Sequence, residues 1–205
     1  RDRGPNTGGM GCYAPSAYLS PDQIEQITAR VLQPTVDGMR RRGSPYVGIL
    51  YAGLMLTEVG FQVLEFNCRF GDPETQVILP LLESDLVDIM MRCLEGRLAE
   101  MEIQWSDQSA ACVVMASGGY PGPYERGKVI TGLENIIPAP NMALFHAGTQ
   151  REGGLVLTDG GRVLAAMATA PRLDTALAQV YSAVEKISFD GMQYRRDIGA
   201  EALGG

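Results

Sequence analysis

The stretch Val63-Leu64-Glu65-Phe66-Asn67-Cys68-Arg69-Phe70-Gly71-Asp72-Pro73-Glu74 decides how the rest of the chain is read. Phe61 to Phe66 are mostly apolar or aromatic, and a turn-like Glu58-Val59-Gly60 precedes them, so the segment begins as a β-strand. Side chains alternate between the faces of a strand, which puts Val63, Glu65 and Asn67 on one side and Leu64 and Phe66 on the other. A carboxylate and a carboxamide thus project together from a strand otherwise suited to a core. If the extended backbone persists, Arg69 joins them. Hard oxygen donors beside a guanidinium are what a magnesium–polyphosphate site requires. A sheet edge with both polar groups in solvent is the other reading. The cluster Arg69, Gly71, Asp72 and Glu74 that follows is more than such an edge requires.

Working outward, the apolar run Tyr46 to Thr57 forms a hairpin with Phe61 to Asn67. On the other side, Asp72-Pro73-Glu74 reads as a helix start with Asp as cap and Pro first, its positive end toward Arg69. Pro80 ends or bends that helix. Ser84-Asp85 opens another, with Leu86, Ile89, Met90, Cys93 and Leu94 on one stripe; Met90 and Met91 read as core filling. Nearer the amino end, Ser20-Pro21-Asp22-Gln23 is a capping box, and Pro34 should kink or interrupt the helix that it starts. Arg40-Arg41-Arg42 complements that helix's C-terminal dipole. The loop Gly4-Pro5-Asn6-Thr7-Gly8-Gly9-Met10-Gly11 has four glycines, which can wrap an anion or remain a mobile terminal loop.

After Gln108 the chain changes character. Short apolar strands at Ala111–Ala116, Lys128–Ile130, Ala143–Ala147, Leu155–Thr158 and Arg162–Thr169 alternate with glycine-rich turns. Thr158-Asp159-Gly160-Gly161 reads as a hairpin turn between the last two, and Leu173, Leu177, Val180, Val184 and Ile187 make a helical stripe. The fold class is α+β, with one domain at 1–106 and a small mixed, β-rich one at 107–205.

The 205 residues are 45% hydrophobic and 20% charged, ordinary for a globular protein. A net charge of −7 argues against non-specific nucleic-acid binding. Cys12, Cys68, Cys93 and Cys112 lack any CxxC pairing and read as reduced thiols of a cytoplasmic protein, and no apolar run is long enough to span a membrane. His146, the only histidine, sits inside a strand and has no nucleophile elbow near it, so a structural role is the better reading. There is no Walker A sequence and no GxGxxG after a strand. The amino terminus has neither an initiator Met nor a signal-peptide core, and reads as a cut within a longer protein.

EFNCRFGDPETQ (65–76) resembles the signature of phosphoribosylamine–glycine ligase, also called glycinamide ribonucleotide synthetase, an ATP-grasp ligase. GPNTGGMG (4–11), LYAGLML (50–56), VVMASGGYPG (113–122), FHAGT (145–149), GGRVLA (160–165) and YRRDIG (194–199) support the resemblance in the family's order. It implies the C-terminal half of an ATP-grasp domain, an antiparallel sheet with helices, followed by the family's C-terminal domain. The implied reaction is purine-biosynthetic: ATP phosphorylates glycine, and the amine of 5-phosphoribosylamine attacks the acyl phosphate, giving glycinamide ribonucleotide, ADP and phosphate. Glu65 and Asn67 match ligands of magnesium or manganese that bridge to ATP. Arg69 matches a position expected to stabilise the transferring phosphoryl group, and Asp72 is expected to orient the amine. Asn6, Thr7, Gly8, Gly9 and Met10 match a substrate-facing loop, and Glu74 is placed beside it. Where many ATP-grasp enzymes have a further acidic ligand, this chain has Ala52-Gly53-Leu54, so no third ligand is assigned. The family's ATP-clasping residues belong upstream. The expected partners are therefore small-molecule substrates and the rest of the same enzyme. The alternative is an incomplete fragment or split subunit that needs that half.

Overall fold

The computed structural model describes residues 4–137 and 139–204. In chain order they form β1 (Gly11–Ala14), α1 (Pro21–Ile27), α2 (Gln33–Arg41), β2 (Tyr51–Thr57), β3 (Gly60–Asn67), α3 (Thr75–Ile78) and α4 (Leu86–Leu94). There follow β4 (Ser109–Ala116), β5 (Met142–His146), β6 (Thr149–Glu152), β7 (Leu155–Thr158), β8 (Arg162–Ala170) and α5 (Leu173–Val184). All strand pairings are antiparallel, in keeping with an α+β fold. No helix among the described residues is long and apolar enough to cross a membrane.

Two compact units interleave along the chain: one takes residues up to Pro15, Asp72–Leu81 and everything from Ser106 on; the other takes Ser16–Gly71 and Leu82–Trp105. The first is built on a four-stranded sheet of order β1-β4-β8-β5. In β4, Ala111, Val113 and Met115 face one core with Leu164, Ala166 and Ala168 of β8 and with Ala176, Val180 and Val184 of α5. Their alternates, Ala110, Cys112, Val114, Ala165 and Met167, face a second core with Val77 and Leu81. Both faces of the central strands are covered, which is why they read as unbroken apolar runs. Small residues let the helix approach closely.

The expected Thr158–Gly161 hairpin does not form. β7 pairs instead with β6 across Gly153-Gly154, whose φ values of +54° and +85° suit a tight reversal, while β8 pairs with β4 and β5. Asp159-Gly160-Gly161 carries the chain between sheets: the Asp159 N–H donates to Gly148 O at 2.7 Å and Gly161 O accepts from the Ser117 N–H at 2.8 Å. Lys128–Ile130 contributes one isolated bridge, Val129 to Leu157, rather than a strand.

In the second unit β2 and β3 form the expected hairpin, although β2 starts at Tyr51 rather than Tyr46, after a loop in which Gly48 has φ +127°. The Ser20–Gln23 capping box forms as expected. Pro34, which has no N–H to continue the ladder, is preceded by a π-helical turn over Thr28–Leu32, with the Gln33 N–H donating to Thr28 O. Asp85 caps α4 through Val87 and Asp88 N–H groups. Met90 and Met91 are not core filling: both are exposed, and α4 has no buried residue.

Candidate functional site

Glu65 and Asn67 lie on one face of β3 as the alternation requires, and Asn67 Nδ2 donates to Glu65 Oε1 at 3.0 Å. That bond turns the Asn67 carbonyl oxygen away from the carboxylate, so the pair presents oxygens from both side chains. Gly53 stands opposite Glu65 in the hairpin, where a Cβ would come within 3.1 Å of Glu65 Cγ. No third carboxylate is therefore offered from β2, and among the described residues no three His, Cys, Asp or Glu side chains gather as a metal cage. Two protein oxygens suit magnesium, which is bound by one or two side chains and otherwise by phosphate and water oxygens. β3 ends at Asn67, so the extended backbone does not carry Arg69 onto the same face. Arg69 sits in a bend and donates from Nη1 to Phe70 O at 2.8 Å.

In the other unit the loop Asn6–Met10 and Asp72 are brought together. Arg162 Nη1 donates to Gly8 O (2.7 Å) and Asp72 O (2.6 Å), and Nη2 to Asp72 Oδ2 (2.9 Å). Gln76 Nε2 donates to Asp72 Oδ1 at 2.9 Å. The Asp72 side chain is thus held at both oxygens and does not cap α3. That helix has only four residues, and Glu74 is its cap residue, contrary to the expected Asp cap. Gly9 has φ +103°, and a Cβ there would meet Pro73 Cδ at 2.6 Å, so the loop needs glycine where it crosses Pro73.

Beside this loop is a cleft of about 530 Å³, lined by Asn6, Thr7 and Met10 on one side and by Tyr120, Gln193, Arg195 and Asp197 on the other. The Tyr120 hydroxyl accepts from the Gly8 N–H at 2.9 Å, and Gln193 Nε2 donates to Ser117 O and Tyr120 O. Arg195 grips Asp197 with two bonds of 2.8 Å, and that guanidinium holds the Asp197 carboxyl down to about 2. The cleft therefore combines a cation, a carboxylate, amide groups and glycine backbone, a donor and acceptor set that suits a sugar phosphate.

Sequence reading missed Tyr120, Arg162, Gln193, Arg195 and Asp197 as site residues. Their one signal is that all but Gln193 stand in a glycine- or charge-rich string, VVMASGGYPG, GGRVLA or YRRDIG. His146 lies exposed at the end of β5, its Nδ1 3.0 Å from Thr149 Oγ1. All four cysteines are free thiols. Cys12 is directly opposite Cys112 in the sheet, and its Sγ donates to Pro73 O at 3.2 Å; the neighbouring Cys112 thiol, then burial, then nearby Glu74 and Asp72 push the Cys12 thiol up.

Residues 1–75 match the family model described as "Phosphoribosylglycinamide synthetase, ATP-grasp (A) domain", and residues 110–201 match the corresponding C domain. A phosphoribosylamine–glycine ligase of Synechocystis is 50% identical over 204 residues, covering 98% of this chain and 48% of that protein. A human trifunctional purine biosynthetic protein adenosine-3 is 51% identical over 203 residues, covering 98% of this chain and 20% of that one. The crystal structure of phosphoribosylamine–glycine ligase from Thermotoga maritima superposes with a TM-score of 0.82 at 38% identity, covering 96% of this chain and 48% of that chain. The chain thus spans about half the length of the single-function relatives it matches. On two models of one family, matching residues 1–75 and 110–201, this chain belongs to the phosphoribosylglycinamide synthetase family.

Proposed function

We propose that this chain supplies the metal–phosphate face and the phosphoribosylamine pocket of an ATP-dependent ligase joining glycine to 5-phosphoribosylamine in purine biosynthesis. The observation that carries the reading is the cleft that the Asn6–Met10 loop forms with Tyr120 and Arg195, together with the Arg162 clamp that holds the same loop to Asp72. A carboxylate is a poor electrophile. Transfer of the ATP γ-phosphoryl group to glycine makes a glycyl phosphate, releasing ADP. The amine nitrogen then attacks the acyl carbon, the C–O bond to phosphate breaks, and the amine loses a proton. Glu65 and Asn67 would hold the magnesium or manganese ion, which when bound neutralises phosphate charge. Arg69 stabilises the phosphoryl oxygens through its planar fork. Asp72 accepts from the substrate amine, Arg195 and the loop backbone hold the phosphoribosyl group, and Glu74 flanks them. We assign the two inherited domains to 1–106 and 107–205, and the compartment to the cytoplasm.

A second reading has a specific observation in its favour. In the unit containing β2 and β3, Ile27 is the one buried hydrophobic side chain among the described residues, whereas Leu64, Phe66, Met90 and Leu94 are exposed. Such a surface suits a chain that works only when a partner polypeptide covers it. One experiment separates the readings: ADP release dependent on glycine and phosphoribosylamine, from this chain alone and after addition of the N-terminal half of a relative. Release from the chain alone supports the first reading, and release only from the mixture supports the second. No release from either, with magnesium present, counts against both.

A further inference from the structure

Arg162 opens β8, a central strand whose next residues, Val163 and Leu164, are fully buried, so its backbone is mounted on the most densely covered part of the molecule. Its side chain is 22% exposed, and its guanidinium reaches residues distant in sequence: Gly8 O at 2.7 Å, Gly9 O at 3.4 Å, Asp72 O at 2.6 Å and Asp72 Oδ2 at 2.9 Å. One arm of the fork thus holds backbone carbonyls of two segments, and the other holds a carboxylate. The fit leaves little slack, because a Cβ at Gly8 would stand 3.1 Å from Arg162 Cζ and 3.2 Å from the Tyr120 hydroxyl.

We propose that Arg162 is a positioning residue of the phosphoribosylamine site, fixing the Asp72 carboxylate relative to the Gly8–Gly9 backbone so that Asp72 meets the substrate amine in one orientation. The proposal rests on the site reading given above. Each carboxylate oxygen has about two acceptor directions. Gln76 takes one at Oδ1 and Arg162 takes one at Oδ2, which fixes the carboxylate plane and leaves one direction at each oxygen for a ligand. The Asp72 side chain is 52% exposed, so a ligand can reach it. A lysine ammonium is a point charge on a flexible stem with three freely rotating donors; it lacks the planar fork that fixes that plane.

The test compares binding of ribose 5-phosphate, which lacks the nitrogen, with binding of glycinamide ribonucleotide, the amide product, by calorimetry on the wild-type chain and on R162K and D72N. Wild type is expected to bind both and to prefer the product. In R162K and D72N that preference falls by about tenfold, the scale of one charge-assisted hydrogen bond, while ribose 5-phosphate still binds. A merely structural role would weaken both ligands alike and leave their ratio unmoved; that result, or an unchanged R162K, overturns the proposal. If D72N loses the preference and R162K keeps it, Asp72 stands and Arg162 falls. If wild type binds neither ligand, or both equally, the underlying site reading fails and the proposal fails with it. Should R162K not fold, R162Q, which keeps an amide donor in a similar place, is judged by the same ratio.

Discussion

The two units of this chain differ in what meets their strands. Around β4 and β8 every apolar side chain finds a second layer, α5 on one face and α3 with its following turn on the other. The β2–β3 hairpin has apolar side chains of similar size, but Met55, Leu56, Val63, Leu64 and Phe66 are all exposed. A two-stranded hairpin is marginal by itself in water, and its apolar residues gain burial only if something is laid over them. The difference teaches that hydrophobic patterning creates a face, while stability comes only with the layer that covers it. The chemistry divides along the same line. The Glu65–Asn67 pair sits on the uncovered hairpin, and the Asp72–Arg162 cluster is anchored in the covered sheet.

The comparison can be broken most directly by paired truncations. Leu164→Ala should cost about 3 kcal/mol of unfolding free energy in urea titration, because Leu164 is fully buried, whereas Leu64→Ala should cost less than about 0.5 kcal/mol. Equal losses would show that the hairpin is covered in solution. Gly9→Ala tests whether the site in the covered unit depends on its backbone. The strain of a positive φ and the approach to Pro73 predict a loss of about 2 kcal/mol, and ribose 5-phosphate affinity should drop with it. The smallest effect concerns pH. Asp197 is depressed to about 2 by Arg195, so its contribution is present above the ordinary carboxylate value of 3.8 and is lost as pH falls from there through about 2. Melting temperatures of wild type and Asp197→Asn should therefore converge as pH drops from 5 toward 2, by only a small margin because the pair is partly solvated.

How legible each part was depends on whether its cause is local. The hairpin, the Ser20 cap and the α5 stripe are legible because alternation, capping and helical spacing all lie within a dozen residues. The Glu65–Asn67 pair is legible for the same reason, being two positions on one strand. Thr158-Asp159-Gly160-Gly161 misleads because turn-forming residues permit a reversal without requiring one, and β6 offered β7 a nearer partner through Gly153-Gly154. Arg69 leaves the expected face because nothing local marks the strand's end at Asn67. Arg162 stands in GGRVLA, but nothing in that string marks it as a site residue. Three of its acceptors are backbone carbonyls, which carry no side-chain signal, and the loop it grips lies 154 residues away.

The covered strands carry one more consequence. β4 (SAACVVMA) and β8 (RVLAAMATA) are apolar on both faces, so sliding one past the other by a single residue would expose no hydrophobe and bury no charge along most of their length. Polarity cannot tell such neighbours how to align. Arg162 can, because it stands at the first position of β8 and a one-step slip would swing its guanidinium to the opposite side of the sheet, away from every oxygen it holds. The same side chain that ties down the loop is thereby a peg for the start of β8, where the pairing of Ala116 with Arg162 stands one residue out of step with the ladder that begins at Met115 and Leu164.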